Sequence, residues 1–568
     1  YGKRWVGMGM VWVCFAGAAL RWGGPPIAMH ISNHHTMHMH HNMHSFQVWR
    51  GIRLMQKHDS YVPRPPQYWM DLSHAYTSLY LLQSRMMGDV IFPYDKRFRE
   101  SSNIWNRNVG APLAVVQAAN EADVQQALPI LSQLYLEHDV SFRIKSGGHS
   151  YAGYSGNTDG IILSVAKLNT QSISSTTSTA TLVTMGPGTT VQQILDQALL
   201  PYGLGGVVAE CSGVAQGGFV TGGGYGFLSR KYGLGVDNVL GFRVVLLDGT
   251  AITANQTVHP DLYWALRGGG GGNFGIVTSI DYQLYPSIQD TQLFVSGTIP
   301  LEVIPRFLTQ LGHLESSGSS IPGEFSFLLK GPITSTVSIP FTIGWIGTDD
   351  GVGINNHTHT HNTTEGESYI QDSIASLVPE AKFDYDFMSW SNRTRHAGNS
   401  EGNLVRAWSG FLYDDRNTLE VWTEISNLLG AVAAKCPYLH WHVELWGGAI
   451  ANVAPQDTAF YYRDALFNIG LILMVPDDDA GSTQDVFDAQ VKAVDAIWPR
   501  VSKYFHGIYT NYNMESLHQM HYANAYWGNN LERLQTVKQL YDPQNIFSFP
   551  QSIPLSQKKK TDGASSSR

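Results

Sequence analysis

Glycine is clustered in this 568-residue chain, and its densest clusters fall between residues 143 and 277. They are Ser146-Gly-Gly-His149, Gly217-Gly218, Gly222-Gly-Gly-Tyr-Gly226 and the unbroken run from Gly268 to Gly272. Glycine reaches positive φ at no steric cost and has no Cβ to hold a ligand away from the backbone. Segments this rich in it fold as close-fitting loops, not as helix or strand interiors. Two of the loops carry a nucleophile, His149 in one and Cys211 at the head of the other. Imidazole and thiol on paired glycine loops point to a flat or charged cofactor gripped from both sides. The 57 glycines follow no fixed period, which excludes a fibrous fold.

Length and composition narrow the rest. The chain is too long for one core, so two domains are expected. Hydrophobic residues make up 43% and charged residues 15%, as in a globular protein with a large interior. A net charge of −9 leaves no electrostatic footprint for nucleic acid. The basic stretch Lys558-Lys-Lys560 lies in a polar tail expected to be disordered. With three cysteines, Cys14, Cys211 and Cys436, a disulfide framework is not expected. The first residues are basic, Trp5 to Leu20 is apolar and short for a membrane span, and small residues follow, the shape of a secretory leader. Sequons at Asn255, Asn356, Asn362 and Asn392 accord with that reading. The expected location is extracellular or an endomembrane lumen, with no stable membrane association. Seven histidines fall between His30 and His44. They read as a biased linker, not a metal centre, because nothing in the segment orients ligands. His357, His359 and His361 read the same way, and no metal site is expected.

Regular structure is expected from Pro112. Leu113 to Gln117 reads as a buried strand, and Asn120 as the N-cap of a helix through Leu134 and Tyr135, kinked or broken early at Pro129. Val140, Phe142 and Ile144 alternate with polar residues, so a strand delivers the chain to the His149 loop. Asp248-Gly249 turns a hairpin between Gly241 and Thr253. Tyr282 to Pro286 reads as a domain boundary.

These motifs carry a resemblance. Arg143-Ile-Lys-Ser-Gly-Gly-His149, the glycines after Cys211, Arg230-Lys-Tyr-Gly-Leu-Gly-Val-Asp-Asn238, Trp264 to Gly272, Tyr509-Thr-Asn-Tyr512 and Asp542 to Pro554 resemble the FAD-linked oxidases of the vanillyl-alcohol-oxidase type, nearest the berberine bridge enzyme-like branch. The resemblance implies an α+β fold in two domains. One is a PCMH-type FAD-binding domain, 108–287, rejoined by a C-terminal segment, 506–555. The other is a substrate domain, 288–505, of an antiparallel sheet backed by helices. A leader (1–24) and a His-rich linker and extension (25–107) would precede them, with a tail (556–568) behind. By resemblance the FAD is held bicovalently by His149 and Cys211, within a site formed by Arg143, Ser146, Gly147, Gly148, Ser150, Val214, Gly217, Gly218, Gly222, Gly223, Gly224, Gly226, Asn238, Gly275 and Val277. Tyr512 is implied as the catalytic base, with Tyr509 as the fallback.

The implied reaction is two-electron oxidation of an alcohol, a small-molecule substrate, with O2 as acceptor and peroxide as product. Val214, small and three residues past Cys211, sits where related oxidases admit O2. A phenol titrates near pH ~10, so a basic Tyr512 calls for stabilisation of its phenolate. The plant alkaloid-forming enzyme carries a glutamate shortly after a late Gly-Gly; Gly447 to Asn452 holds no carboxylate, which favours a saccharide over an amine. Phe219 stands where plant relatives have histidine. Trp441, His442, Glu444, Trp446, Tyr461 and Tyr462 read either as an aromatic shelf for sugars or, the better reading, as core. Two rival functions stay open: an FAD-linked dehydrogenase of aromatic alcohols using another acceptor, and an inactive secreted His-rich metal-binding protein on the same scaffold.

Overall fold

A computed structural model describes residues 66–177, 180–286, 291–316, 321–333, 338–347, 361–389, 403–476, 482–517 and 521–556. The leader, the histidines at 30–44, those at 357 and 359, the sequons at Asn356 and Asn392 and the basic tail lie outside these residues, as do the side chains of His361 and Asn362. All described residues belong to one unit that begins at Gly51.

Regular structure starts earlier than Pro112. Helix α1 (Pro66–Gln83) precedes strand β1 (Asp89–Ile91), which pairs antiparallel with β2 (Ala114–Gln117). A strand of three residues is too short to show a period, which is why sequence reading passes over it. Strands β3 (Phe142–Lys145) and β4 (Ile161–Ser164) complete a four-stranded sheet in the order β1-β2-β4-β3, with β2, β4 and β3 parallel. Parallel strands covered on both faces become apolar throughout, as the fully buried Ile161-Ile-Leu-Ser164 illustrates. Helix α2 (Glu121–His138) crosses between β2 and β3 and runs unbroken through Pro129. The Asn120 side chain accepts from the Asp123 amide, and Val124, Ala127, Leu128 and Leu131 are buried. This anchored face outweighs the one backbone hydrogen bond that proline removes.

A second sheet is antiparallel: β5 (Gln171–Thr176), β6 (Thr181–Met185), β7 (Leu204–Gly205), β8 (Val239–Val245), β9 (Ala251–Asn255) and β10 (Ile276–Pro286), ordered β5-β6-β10-β8-β9 with β7 on β10. The Asp248-Gly249 turn joins β8 to β9, with Gly249 at φ +83°. The third sheet holds β11 (Thr291–Pro300), β12 (Phe325–Pro332), β13 (Ser338–Trp345), β14 (Lys382–Ser389), β15 (Asn403–Leu412), β16 (Leu439–Leu445) and β17 (Phe467–Pro476). Its order is β14-β11-β13-β12-β16-β17-β15, antiparallel throughout. Helices α3 (Ile304–Ser316), α4 (Leu419–Ala433) and α5 (Ser482–Ser502) back one face, where Phe307 meets Phe327 and Trp422 meets Phe467 edge to face. The expected α+β fold, with an antiparallel sheet backed by helices, is the one observed.

The C-terminal chain is fastened to the glycine run by a buried ion pair. Lys538 Nζ donates to Asp542 Oδ2 (2.6 Å) and to the carbonyls of Asn273 (2.8 Å) and Phe547 (2.7 Å). Asp542 in turn accepts the amides of Ile546 and Phe547. Burial pulls the Lys538 ammonium below its ordinary pKa and Asp542 opposes that shift. Removing one partner of such a pair strands the other charge in the interior. Asp542→Ala is expected to lower unfolding stability by about 3–5 kcal/mol, read from the urea midpoint; an unchanged midpoint contradicts this role.

Candidate active site

Strand β3 ends at Lys145 and the chain turns at once into Ser146-Gly-Gly-His149. Gly148 takes φ +74°, and its carbonyl accepts the Trp105 amide at 2.9 Å. A Cβ on Gly147 would lie 2.7 Å from the Ala215 nitrogen, so glycine is what lets this loop touch the one that follows Cys211. The His149 ring lies nearly parallel to Trp105, 6.1 Å between centroids. Burial lowers the His149 pKa to about 4, so the imidazole is neutral near pH 7. Cys211 is partly buried and free. Its neighbour Glu210 accepts Lys330 Nζ at 3.3 Å. Burial alone would lower the Lys330 ammonium, but Glu210, with Cys211 and Tyr151 nearby, holds it above its ordinary range.

The segment Tyr509-Thr-Asn-Tyr-Asn513 returns over these loops, and its two tyrosines do different work. Tyr509 Oη accepts the amides of Gly224 (2.8 Å) and Tyr225 (3.0 Å), and Asn511 Nδ2 lies 3.2 Å from it. That oxygen is committed to the glycine loop. Asn511 Nδ2 also donates to the Phe219 carbonyl (3.0 Å), and the Phe219 ring packs beside Gly224 and Gly235. Tyr512 Oη instead donates to Glu444 Oε1 at 2.6 Å.

Glu444 belongs to the third sheet. In β16 the residues alternate, Leu439-His-Trp-His-Val-Glu-Leu445, so His440, His442 and Glu444 share a face and Trp441 and Val443 the other. Register pairs Lys330 with His442 and Glu444 with Asn468, extending one polar face across β12, β16 and β17. Glu444 is 1% exposed. Asn468 Nδ2 (2.8 Å) and Trp446 Nε1 (3.1 Å) both donate to its Oε2. His442 Nε2 sits 3.2 Å from Oε1 but out of line for a hydrogen bond. Burial works to raise the Glu444 pKa; His442, Asn468 and Tyr512 outweigh it and hold the carboxyl below its ordinary range. Burial, then the Glu444 charge, push Tyr512 well above a normal phenol. The pair is therefore a carboxylate accepting from a neutral phenol. Positive charge or hydrogen bonds at the Tyr512 oxygen are what a basic role asks for, and the hydrogen bond found there runs to a carboxylate.

One pocket collects most of the residues singled out from sequence. Arg143, Ser146, Gly147, Gly148, His149, Ser150, Cys211, Val214, Gly217, Gly218, Gly275, Val277, Tyr509 and Tyr512 all line it. Gly222, Gly223, Gly224, Gly226 and Asn238 do not. The first four shape the turn behind it: a Cβ on Gly222 would meet Asn511 Oδ1 at 2.1 Å, and one on Gly226 the Val208 carbonyl at 2.0 Å. Asn238 is buried and ties Tyr232, Leu234 and Tyr285 together. Of the six residues weighed as a shelf, Glu444 alone lines the pocket, while Trp441 and Trp446 are fully buried. Lys330, Glu210, Tyr151 and Asn513 also line it, unmarked by any sequence motif. The hydroxyls of Tyr154, Ser155 and Thr510 and the indole N–H of Trp527 face this pocket, buried and without a hydrogen-bond partner. Orphaned polar atoms beside glycine backbone fit a long polar ligand.

The two tyrosines are separable by experiment. Tyr509→Phe leaves the Gly224 and Tyr225 amides unpaired and is expected to cost about 1–3 kcal/mol of stability per stranded donor. Tyr512→Phe takes one donor from the buried Glu444 carboxylate and is expected to cost about 1–3 kcal/mol of its own, less than the two stranded amides of Tyr509→Phe. A midpoint for Tyr512→Phe at or below that of Tyr509→Phe contradicts the division of roles.

Comparison with known proteins agrees with this geometry. Residues 112–255 match the FAD binding domain family, and residues 508–554 match the berberine and berberine-like family. The chain is 27% identical over 489 residues to the uncharacterized FAD-linked oxidoreductase YvdP of Bacillus subtilis, covering 83% of this chain and 99% of that one. It is 23% identical over 465 residues to a chitooligosaccharide oxidase of Gibberella zeae, covering 78% and 87%. Among solved structures, the xylooligosaccharide oxidase of Myceliophthora thermophila C1 in complex with xylobiose superposes with a TM-score of 0.69 at 22% identity, covering 84% of this chain and all of that one. An FAD binding domain that closes on a berberine-like C-terminal segment marks one family of flavoenzymes, and this chain belongs to it, the berberine bridge enzyme-like FAD-linked oxidoreductases.

Proposed function

We propose that this chain is an oligosaccharide oxidase with bicovalently held FAD, and that Tyr512 and Glu444 together form its base. The observation that carries the reading is the 2.6 Å hydrogen bond from Tyr512 to the buried Glu444, in the pocket that holds His149 and Cys211. FAD, when bound, supplies the hydride acceptor and the route by which electrons reach O2. The 146–150 loop, Gly217, Gly218 and the run 269–272 are the backbone that would hold it, with Tyr154, Ser155, Thr510 and Trp527 supplying polar partners. His149, neutral because buried, would hold the flavin through one covalent bond and Cys211 through the other. Lys330 Nζ, 3.3 Å from Glu210, places positive charge near Cys211.

The residues divide the proton work simply. Tyr512 Oη takes the proton of the substrate hydroxyl as its own proton passes to Glu444 Oε1. Glu444 is a weak base, yet it suffices, because loss of hydride from the carbinol carbon leaves a strongly acidic hydroxyl. The low pKa of Glu444 keeps it ionised through the neutral range, and the high pKa of Tyr512 keeps the relay proton in place. Glu210, Lys330 and Glu444 line the pocket beside Tyr151 and make its wall polar, which suits a sugar better than an aromatic alcohol. The likeness to chitooligosaccharide and xylooligosaccharide oxidases supports the same substrate class. Val214 beside the pocket supports O2 as acceptor.

Anaerobic bleaching of the flavin by oligosaccharides, aromatic alcohols and amines tests the reading. Oligosaccharides are expected to bleach it, with recovery and peroxide when air is admitted. Glu444→Gln is expected to slow bleaching about 10²–10⁴-fold. The wild-type rate is expected to fall only on the acid side, below the ordinary carboxylate range, with no rise toward alkali. Denaturation is expected to leave flavin on the chain until both His149 and Cys211 are replaced. Bleaching by amines alone, or an unimpaired Glu444→Gln, overturns the proposal.

A further inference from the structure

Away from the pocket, one cluster among the described residues brings together a carboxylate and two imidazoles: Asp71 and His74 on α1 and His138 at the end of α2. Asp71 and His74 are three residues apart and so share a helix face. His138 Nδ1 lies 2.9 Å from Asp71 Oδ1, and the rings of His74 and His138 are 4.6 Å apart between centroids. One donor atom from each of the three lies within 4.8 Å of the others. A His138–Asp71 ion pair accounts for the first contact alone. It gives no reason for a second imidazole against the first, an arrangement that is repulsive once both are protonated and favourable when both face a cation as neutral ligands.

We propose that Asp71, His74 and His138 bind a Zn2+ ion that clips α1 to the end of α2. Two imidazoles and a carboxylate are a donor set for Zn2+, with bonds of about 2.0–2.2 Å that place tetrahedral ligand atoms about 3.3 Å apart. The 2.9 Å contact is already near that spacing, and the His74 side chain is exposed at the edge of the cluster. Asp71 and His138 are mostly covered, 18% and 19% exposed, while the His74 side leaves room for water as a fourth ligand. Glu137 Oε2, 4.0 Å from His138 Nε2, stands where an outer carboxylate would orient a ring coordinated through Nδ1. The site is distinct from the histidine run at 30–44, and the same experiment separates the two.

The test uses full-length flavoprotein with the seven histidines between His30 and His44 replaced by Asn. Zn2+ is titrated against a chromophoric chelator, and melting is recorded with Zn2+ and with EDTA. This protein is expected to bind one equivalent and to melt higher with Zn2+. Both effects are expected to vanish in His74→Ala and in His138→Gln, the latter keeping a hydrogen-bond donor to Asp71. The visible flavin spectrum reports that each variant is folded. No Zn2+ bound once the run is replaced, or binding unchanged in the two variants, overturns the proposal.

Discussion

The buried Lys538–Asp542 pair holds the architecture of the pocket together. Lys538 spends its three N–H groups on Asp542 and on the carbonyls of Asn273 and Phe547. Asn273 ends the glycine run, and its side chain also accepts the Ile553 amide. The last described turns of the chain are thereby fixed to the loop that lines the pocket floor. Gln551 extends the fastening by donating to the Met514 carbonyl, next to the tyrosine segment. A fully buried ion pair is stabilising only when every remaining donor and acceptor is satisfied, and here they are.

On that frame, the third sheet contributes charge where the glycine loops contribute backbone. Its helix-facing residues are aromatic and aliphatic, and its other face carries Lys330, His442, Glu444 and Asn468. Burying a carboxylate costs several kcal/mol unless donors replace water, in the sense of about one hydrogen bond per lost water contact. Glu444 has Tyr512, Asn468 and Trp446 as donors. The arrangement sets two pKa values apart, one depressed and one raised, on groups that share a proton. The separation assigns the roles: the phenol carries the proton at rest and the carboxylate is the acceptor.

The glycine loops were legible because clustered glycine is itself the signal: Gly148 is needed for its own φ of +74°, and Gly147, whose reason is the Ala215 loop, sits in the same cluster. The helix at Asn120 and the hairpin at Gly249 were legible because a cap and a turn are local. The Tyr512–Glu444 pair was not, since its members are 68 residues apart and meet only through the fold. Part of the signal was nonetheless present in β16. Strict alternation separates Glu444 from Trp441, so reading those residues as one shelf joined two opposite faces of a strand. Lys330 sits in Phe325–Pro332, where no motif marks it, and in α1 the buried stripe of Leu72, Ala75, Tyr76, Leu79 and Leu82 is blurred by the exposed Met70 and Leu81.

Everything proposed for the site depends on Tyr512 being a neutral phenol that keeps its proton while hydrogen-bonded to Glu444, and an alkaline ultraviolet difference titration of wild type against Tyr512→Phe reads that proton. The account predicts no tyrosinate signal from Tyr512 up to and beyond the ordinary phenol range near pH ~10. A tyrosinate band from this residue near neutral pH would contradict it and make Tyr512 a preformed base on its own.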